Sequence, residues 1–346
     1  MPRPSIYDVA ALAGVSAATV SRSLGGKSKV APETRQRVLD AAQLLSYVAS
    51  PQASGLASGR TRAIGVVVPF VTRWFFSELI SGVTDVLRDS GYDVVLYHLG
   101  SARDRDSFFS RMPLARRVDG VLTCSMPLTD EHTLALRALD LPYVSIGSPM
   151  PGRASVGIDE VAAVGAAVNH LVHLGHTRIG YLAGEPDDAD FGFISAPQRR
   201  RGFELAVAAA GLEVDPRLQA SGRYGTRGGA SAMASLLAGP VLPTAVVAEY
   251  DELALGALLT LRRAGLDVPG DLSVVGVDDH EMAEVVDLST VGQDVHEQGV
   301  TGARLLLQQL DGAPAGDGGA AEAVHVLATR LVLRGSTAPP AGWRTR

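Results

Sequence analysis

Cysteine is almost absent from this chain of 346 residues, since Cys124 is the only one. A single cysteine cannot form a disulfide within the chain, which favours a reducing compartment. The N-terminus lacks the apolar segment of a signal peptide, and no stretch approaches the roughly 18 consecutive apolar residues of a membrane-spanning helix. These absences predict a soluble, cytoplasmic protein that does not interact with a membrane.

The short motifs of common enzyme classes are also missing. The sequence contains no G-x-x-x-x-G-K-[ST], G-x-S-x-G or H-E-x-x-H motif. His170, His173 and His176 lie close together, but Gly175 ends the predicted helix before His176, and neither a cysteine nor an acid completes a ligand set. We therefore expect no catalytic residues, no metal ion and no other cofactor.

The charge of the chain is divided unevenly along its length. Residues 1–62 carry eight Lys or Arg and three acids, a net charge of +5. The remaining residues carry 23 basic and 34 acidic side chains, a net charge of −11. Because only the head is basic, we expect the head alone to bind a polyanion such as a nucleic acid.

The stretch from Ser5 to Leu24 predicts two short helices joined by a tight turn. Ser5 and Asp8 have the spacing of a capping box, and Gly14 suits the positive φ of a sharp turn. An ordinary pair of helices is one interpretation, and a helix-turn-helix that reads the major groove is the other, favoured by the nearby basic residues. The candidate DNA-binding residues on the second helix are Ser16, Ala17, Ala18, Thr19, Ser21 and Arg22.

A third helix is predicted to begin near Pro32, which completes a three-helix head. Residues 48–62 are small and polar, so we expect a segment that folds only when a partner orders it. A plain flexible linker is the alternative, although Leu56 is unusual in such a linker.

From residue 63 onwards, short apolar strands alternate with amphipathic helices. This pattern is typical of parallel sheets that are covered on both faces. The series occurs twice, which predicts two lobes with a ligand cleft at the carboxyl ends of the strands. The predicted strands are AIGVVVP, YDVVLYHL, VDGVLTC and PYVSIG in the first series, TRIGYLAG, residues 218–222, TAVVAEYD and LSVVGVDD in the second, and VHVLATRLVL as one last strand.

Many blocks of the sequence together resemble the lactose-repressor (LacI) family of bacterial transcription regulators. The resemblance covers essentially the whole chain, and its blocks occur in the family's order. They are IYDVAALAGVSAATVSRSL, the hinge ending in Leu56, ASGRTRAIGVVVP, VDGVL, HLVHLGHTRIGYLAG, RRRGFELAVAAAGL, LALGALLTLRRAGLDVPGDLSVVGVDD and LVLRGST.

The resemblance implies an α/β protein whose all-α helix-turn-helix head and hinge precede a two-lobed core similar to periplasmic binding proteins. The implied divisions are a head at 1–47, a hinge at 48–62 and a core at 63–340, with a first lobe of about 63–160 and 293–323 and a second lobe of about 161–292 and 324–340.

The resemblance also implies a homodimer bound to a pseudo-palindromic operator in double-stranded DNA. Arg22 would read a base edge, preferably guanine, and Leu56 would insert into a minor-groove step. Ser54 and Gly55 stand where an Arg-Ser pair is frequent in the family, so weaker hinge folding or fewer phosphate contacts are expected.

The implied effector-binding residues lie on both sides of the cleft. Arg199 would bind hydroxyl groups or a carboxylate of a ligand, and Asp278 would accept hydrogen bonds from sugar hydroxyls or a ring nitrogen. Arg199 and Asp278 could instead simply pair with each other, and Phe76 could belong to the core. Tyr250 stands where relatives usually have Asn, and Phe70, Arg73 and Trp74 replace another frequent pattern, so the ligand need not be a standard monosaccharide. The full candidate set is Phe76, Asp159, Arg199, Tyr224, Tyr250 and Asp278.

The sequence thus predicts a DNA-binding transcriptional regulator, typically a repressor, that responds to a sugar or sugar derivative. The alternative is a two-lobed receptor or enzyme without regulatory DNA binding. A signal peptide would favour the receptor and a catalytic dyad the enzyme, and the sequence contains neither.

Overall fold

The computed structural model describes residues 4–24, 30–47, 60–126, 128–147, 149, 153–185, 191–193, 195–312 and 324–341. The chain divides into two compact units, one of Met1–Ala63 with Arg116–Asp119 and the other of Ile64–Ala115 with Gly120–Arg346. Leu56 lies outside the described residues.

The described residues of the first unit form three short helices, α1 (Ile6–Ala13), α2 (Ala17–Leu24) and α3 (Pro32–Leu44). The capping box is present, because Ser5 N donates to Asp8 Oδ2 at 2.8 Å and Ser5 Oγ accepts from the Asp8 amide. Gly14 takes the left-handed conformation, φ +66°, that ends α1. The helices share a small core of Val9, Ala10, Ala13, Val20, Val38, Ala41 and Ala42.

In the same unit, Thr61 and Arg62 are hydrogen-bonded to the carboxylate of Asp119. Asp119 accepts hydrogen bonds from the Thr61 amide at 2.6 Å, the Thr61 hydroxyl at 2.8 Å and the Arg62 amide at 2.9 Å. The chain is therefore anchored where it leaves residues 48–59 and enters the first strand of the core.

The first lobe of the second unit is a six-stranded sheet flanked by helices. In chain order its elements are β1 (Ala63–Val68), α4 (Trp74–Asp89), β2 (Asp93–His98), α5 (Ala102–Arg111), β3 (Gly120–Cys124), α6 (Asp130–Arg137), β4 (Tyr143–Ile146) and β5 (Ser155–Ile158).

The second lobe has the same plan. Its elements are α7 (Glu160–His173), β6 (Ile179–Glu185), α8 (Ser195–Ala209), a 3₁₀ turn (Pro216–Leu218), β7 (Gln219–Arg223), α9 (Thr226–Leu237), β8 (Ala245–Ala248), α10 (Asp251–Arg263), β9 (Ser273–Asp278), α11 (Glu281–Val285) and β10 (Ser289–Gln293).

The chain then returns to the first lobe through α12 (Val295–Leu310) and β11 (Val324–Leu327), and to the second through β12 (Thr329–Val332). The strand orders are β11-β5-β4-β3-β1-β2 in the first sheet and β12-β10-β9-β8-β6-β7 in the second. β12 runs antiparallel to β10, whereas β11 runs parallel to β5. Buried apolar residues fill the space between each sheet and its helices.

The structure corrects the expected path of the C-terminal segment. VHVLATRLVL was predicted as one strand in the second lobe from residue 324, but it forms two strands in different sheets with Ala328 between them. The first lobe therefore includes Val324–Leu327. Two further strands, β5 and β10, were absent from the predicted series because each is short and rich in Ser or Gly.

Candidate functional site

A cavity lies between the two lobes, at the carboxyl ends of the parallel strands. It encloses about 710 Å³ that is free of atoms, part of it open to solvent. Parallel sheets place their ligand sites at this edge. The lining residues are Phe70, Arg73, Trp74, Phe75, Phe76 and Ser125 from the first lobe and Glu160, Phe193, Ser195, Arg199, Tyr224, Glu249, Tyr250, Glu252 and Asp278 from the second.

Arg199 lies at the centre of the polar wall. Its Nε donates to Glu160 Oε2 at 2.6 Å, its Nη2 to Asp278 Oδ1 at 3.2 Å and its Nη1 to the Glu249 carbonyl oxygen at 2.6 Å. Burial opposes the charged form of Arg199, but the carboxylates of Glu160 and Asp278 outweigh it and raise the pKa of the guanidinium. Arg199 therefore stays a cation and aligns two carboxylates at the cavity.

Asp278 ends β9 in a strained backbone conformation. Its φ is +126°, and that of Asp279 is +61°, in a region that residues with a side chain rarely adopt. Its Oδ1 also accepts from Gln293 Nε2 at 2.7 Å, and Gln298 supports Gln293 in turn. Burial raises the pKa of Asp278 to about 6, and Arg199 limits that rise. Two side chains thus hold this carboxyl group in place.

Glu249 is a functional candidate that sequence reasoning missed. Its side chain is almost fully buried, and its Oε2 accepts from the Gly184 amide at 2.6 Å. Burial raises the pKa of Glu249 to about 7, while the Gly184 amide and Arg199 oppose the rise. In the sequence Glu249 lies two residues before the start of α10, close to a helix N-terminus where an acid is unremarkable, so no local signal indicates that it is buried.

Aromatic rings form the other wall of the cavity. The ring centroids of Phe193 and Tyr224 lie 5.5 Å apart, and those of Tyr224 and Tyr250 lie 5.7 Å apart. Gly184 makes this arrangement possible, because a Cβ at that position would lie 2.6 Å from Tyr224 Cε1. Burial raises the pKa of both tyrosines, so both hydroxyl groups remain protonated and can donate hydrogen bonds.

The two remaining candidate effector-binding residues, Phe76 and Asp159, differ in whether they line the cavity. Phe76 lines the cavity and also packs in the core of the first lobe, so both of its expected roles fit its position. Asp159 is not among the lining residues, because its Oδ1 accepts from the Ala162 amide at 2.9 Å and caps α7. The neighbouring Glu160 lines the cavity instead, and it was not among the predicted residues.

The candidate DNA-binding residues lie on or beside α2. Ser16, Ala18 and Arg22 are exposed, and Ala17, Thr19 and Ser21 are half-buried. Ser16 Oγ accepts from the Thr19 amide at 3.2 Å and caps the helix, while Arg22 Nε donates to the Ala18 carbonyl oxygen at 3.2 Å. Most of the Arg22 guanidinium therefore remains available to a ligand.

Two of the three histidines of the HLVHLGH segment have structural partners. His170 Nε2 lies 2.9 Å from Thr337 Oγ1, and His176 lies 3.0 Å from Thr244 Oγ1 and 2.8 Å from the Ala338 carbonyl oxygen. Among the described residues, no group of three or more His, Cys, Asp or Glu side chains is arranged for a metal ion. In the same part of the chain, no helix is long and apolar enough to cross a membrane.

Two family models and a full-length relative match this chain. The model for bacterial regulatory proteins of the lacI family covers residues 5–50, and the model for the periplasmic binding protein-like domain covers residues 168–337. The HTH-type transcriptional repressor CytR of Escherichia coli (strain K12) is 34% identical over 337 residues, 96% of each chain. The chain belongs to the LacI family.

Solved structures of LacI-family regulators have the same architecture. The lac repressor dimer bound to operator and the anti-inducer ONPF superposes with a TM-score of 0.84 at 28% identity, covering 97% of this chain and 100% of that chain. The complex of the regulator CelR with cellobiose gives 0.69 at 32% identity, covering 96% and 100%. As a LacI-family member, the chain is a transcriptional regulator with a helix-turn-helix DNA-binding head, so the predicted family, fold class and general function are confirmed.

Proposed function

We propose that this LacI-family chain is an operator-binding repressor controlled by a small, ring-shaped effector in the inter-lobe cavity. The arrangement of Arg199 with Glu160 and Asp278 opposite an aromatic wall is the observation that carries this proposal. Convergent polar groups within an otherwise aromatic cleft are the usual composition of a small-molecule site.

A carbohydrate or a similar polyhydroxylated ring fits this composition. Carboxylate oxygens accept hydrogen bonds from hydroxyl groups, and aromatic faces pack against the apolar face of a ring. Phe76, Arg199, Tyr224, Tyr250 and Asp278 remain our proposed effector contacts. CelR, a relative over nearly the whole chain, is known in complex with cellobiose.

The exposed face of α2 is the proposed base-reading surface. Arg22 offers a planar fork of donors that matches the two acceptors of guanine, and the small side chains of Ala17 and Ala18 permit contact with thymine methyl groups. Ser16, Thr19 and Ser21 would position the helix on phosphates, and Leu56 would enter the minor groove. We further propose that a homodimer places two heads on a pseudo-palindromic operator in the cytoplasm, as the lac repressor dimer binds its operator.

The effector would act through the relative position of the lobes. A ligand that binds one arrangement of the lobes more tightly than another shifts the population towards that arrangement. The factor by which the ligand changes the affinity for DNA must equal the factor by which DNA changes the affinity for the ligand. The sign of that change separates an inducer from a corepressor.

Fluorescence anisotropy tests the DNA function directly, with DNA from upstream of the protein's own gene and random DNA of equal length. We expect high affinity for the upstream DNA at moderate salt, and equal affinity for the two DNAs would contradict the proposal. Arg22→Ala should lose about 1–3 kcal/mol of discrimination between them. Arg37→Ala removes an exposed charge from α3 and should weaken both complexes alike.

The same titration tests the effector when it is repeated with sugars, sugar phosphates and purines. A compound that lowers the affinity for the upstream DNA is an inducer, and one that raises it is a corepressor. Unchanged affinity with every compound, together with no calorimetric binding, would contradict the proposed cavity and leave the DNA function intact.

A further inference from the structure

Arg73 occupies the space between two aromatic rings of the cavity. Its guanidinium carbon lies 4.7 Å from the ring centroid of Phe70 and 4.5 Å from that of Tyr224. Phe70 belongs to the first lobe and Tyr224 to the second. A flat cation that contacts two rings in this way gains cation–π attraction on both sides.

The same arginine also forms an ion pair across the cavity. Arg73 Nη1 lies 3.6 Å from Oε2 of Glu252, in the first turn of α10. The two side chains are only 20% and 23% exposed, so solvent screens them less than a surface pair. Arg73 thus contacts the second lobe through a ring and a carboxylate.

The next residue, Trp74, makes a second contact between the lobes. The ring of Trp74 packs against that of His280 in a tilted arrangement, with centroids 4.8 Å apart and an angle of 31° between the planes. Arg73 and Trp74 are adjacent at the start of α4, so one short segment of the first lobe contacts three residues of the second.

We propose that Arg73 is the specificity-determining residue of this cavity, because its guanidinium fills the aromatic slot between Phe70 and Tyr224 and an effector enters by displacing it. The proposal rests on the proposed function of the cavity as the effector site. Without effector, Arg73 links the lobes, and displacement replaces this internal link with contacts to the ligand.

The charges that remain define the class of ligand. Once Arg73 leaves the slot, the charged side chains that line the cavity among the described residues are Arg199 and the acids Glu160, Glu249, Glu252 and Asp278. Arg199 is already paired with two of these acids, so a ligand phosphate or carboxylate would meet repulsion without a free cation. The slot therefore selects a ring with a flat face and a neutral or positive charge.

A distance measurement tests the link between the lobes without any effector. Arg103 and Arg227 are exposed at the starts of α5 and α9, each just after the carboxyl end of a strand, and cysteines at these sites can carry nitroxide spin labels. Cys124 is fully buried, and burial raises the pKa of its thiol, so it should stay unlabelled. Pulsed electron–electron double resonance then measures the distance between the two labels, one on each lobe.

We expect Arg73→Ala to lengthen and broaden this distance distribution. Millimolar guanidinium ion should restore it by filling the vacated slot, whereas urea, which is equally flat but uncharged, should not. Arg73→Lys keeps the charge but not the flat face, so it should recover only part of the effect, and Glu252→Gln should show a smaller change. Arg88→Ala, an exposed change on the same helix, is the control and should leave the distribution unchanged.

A distribution that is identical in Arg73→Ala and the unsubstituted protein would overturn the proposal, and so would a lack of response to guanidinium. Circular dichroism of each variant excludes unfolding as the cause of a change. The operator titration is independent of this result, so loss of DNA binding would count against the proposed function and not against the Arg73 link.

Calorimetry with the panel of sugars, sugar phosphates and purines tests the selectivity. A neutral ring compound should bind Arg73→Ala about tenfold more tightly than the unsubstituted protein, a change of about 1.4 kcal/mol that is within the range of a desolvated cation–π contact. If a phosphorylated compound instead binds the unsubstituted protein more tightly than it binds Arg73→Ala, Arg73 contacts the ligand directly. That result would overturn the proposal that the effector displaces Arg73.

Discussion

Two buried acids, Glu249 and Asp278, determine how the charge of this cavity changes with pH. Glu249 and Asp278 both lie in the wall of the cavity, and burial raises the pKa of each, to about 7 and about 6 respectively. Between about pH 6 and pH 7 the charge of the cavity wall should therefore change as these two groups titrate. Because both groups favour the protonated form in the folded state, acidification stabilises this part of the protein.

The contribution of Glu249 to the free energy of unfolding should fall as pH rises from about 4.5, the ordinary pKa of glutamate, to about 7, the raised pKa of Glu249. In that window the folded state retains a proton that the unfolded chain has lost, and the loss is complete above the higher value. Glu249→Gln should remove up to about 3 kcal/mol of this dependence, since one pKa unit corresponds to about 1.4 kcal/mol.

Urea denaturation at several pH values measures this change. Asp278 and the buried Asp251, whose pKa burial also raises, contribute in the same direction in the variant. Glu204→Gln, an exposed change on α8, should keep the full dependence. A Glu249→Gln variant with the same pH profile as the unsubstituted protein would disprove the assignment.

Arg199 is the cation on which the buried carboxylates depend. Arg199→Gln leaves Glu160 and Asp278 without their shared partner, and breaking a buried ion pair in this way costs about 3–5 kcal/mol. The urea midpoint of the core should fall accordingly. Arg201→Gln, an exposed change two residues along the same helix, should have little effect.

Neutralising the partners as well distinguishes a charge effect from lost packing. The triple variant Arg199→Gln, Glu160→Gln, Asp278→Asn leaves no buried charge in this group, so it should recover much of the lost stability. Equal stability of the triple and the single variant would mean that the guanidinium acts mainly by filling space.

At the scale of elements, close packing between two helices fixes the position of the residues that line one side of the cavity. α4, which carries Arg73 and Trp74 at its start, packs directly on α12, because Gly82 faces the His296 carbonyl oxygen and Gly299 faces that of Leu79. No larger side chain fits at either position. The start of α4 is therefore held in place by contacts along the whole helix.

Two glycine-to-alanine changes should have opposite effects on the melting temperature. Gly82→Ala places a Cβ against the His296 carbonyl oxygen, so we expect a loss of about 1–3 kcal/mol from overpacking. Gly165 lies within α7 with no atom within 4 Å of an added Cβ, so Gly165→Ala should gain up to about 1 kcal/mol from helix propensity. Differential scanning calorimetry measures both, and a Gly82→Ala protein as stable as the original would refute the packing argument.

At the scale of the whole molecule, the charge is separated between head and core. Residues 1–62 have a net charge of +5 and the rest −11, so attraction to DNA must come from the head. The negative core reduces unspecific attachment of the remaining surface to nucleic acid. A chain with net charge −6 can thus bind a polyanion at one end.

Operator affinity should therefore fall steeply with salt. The logarithm of the association constant is expected to decrease linearly with the logarithm of the salt concentration, by about 0.9 for each phosphate contact. Anisotropy titrations in increasing potassium chloride measure the slope. Arg263→Ala, an exposed change in the acidic core, should not alter it, and an affinity that is independent of salt would exclude the electrostatic account.

The sequence by itself determined the features that depend on near neighbours in the chain. Ser5 and Asp8 are three residues apart, so the capping box could be predicted, and Gly14 marks the turn that follows. The alternation of apolar strands and helices likewise predicted two parallel sheets with a cleft at their carboxyl ends. These signals are local, because backbone conformation and helix capping depend on residues a few positions away.

Only the tertiary structure decided which distant residues meet. It divided one predicted strand between two sheets at Ala328, and it placed Glu160, rather than Asp159, in the cavity wall. It also buried Glu249 beside Arg199 and stacked Arg73 between Phe70 and Tyr224. Burial, pKa and stacking all depend on contacts between residues far apart in the chain, and the pattern of neighbouring residues does not record such contacts.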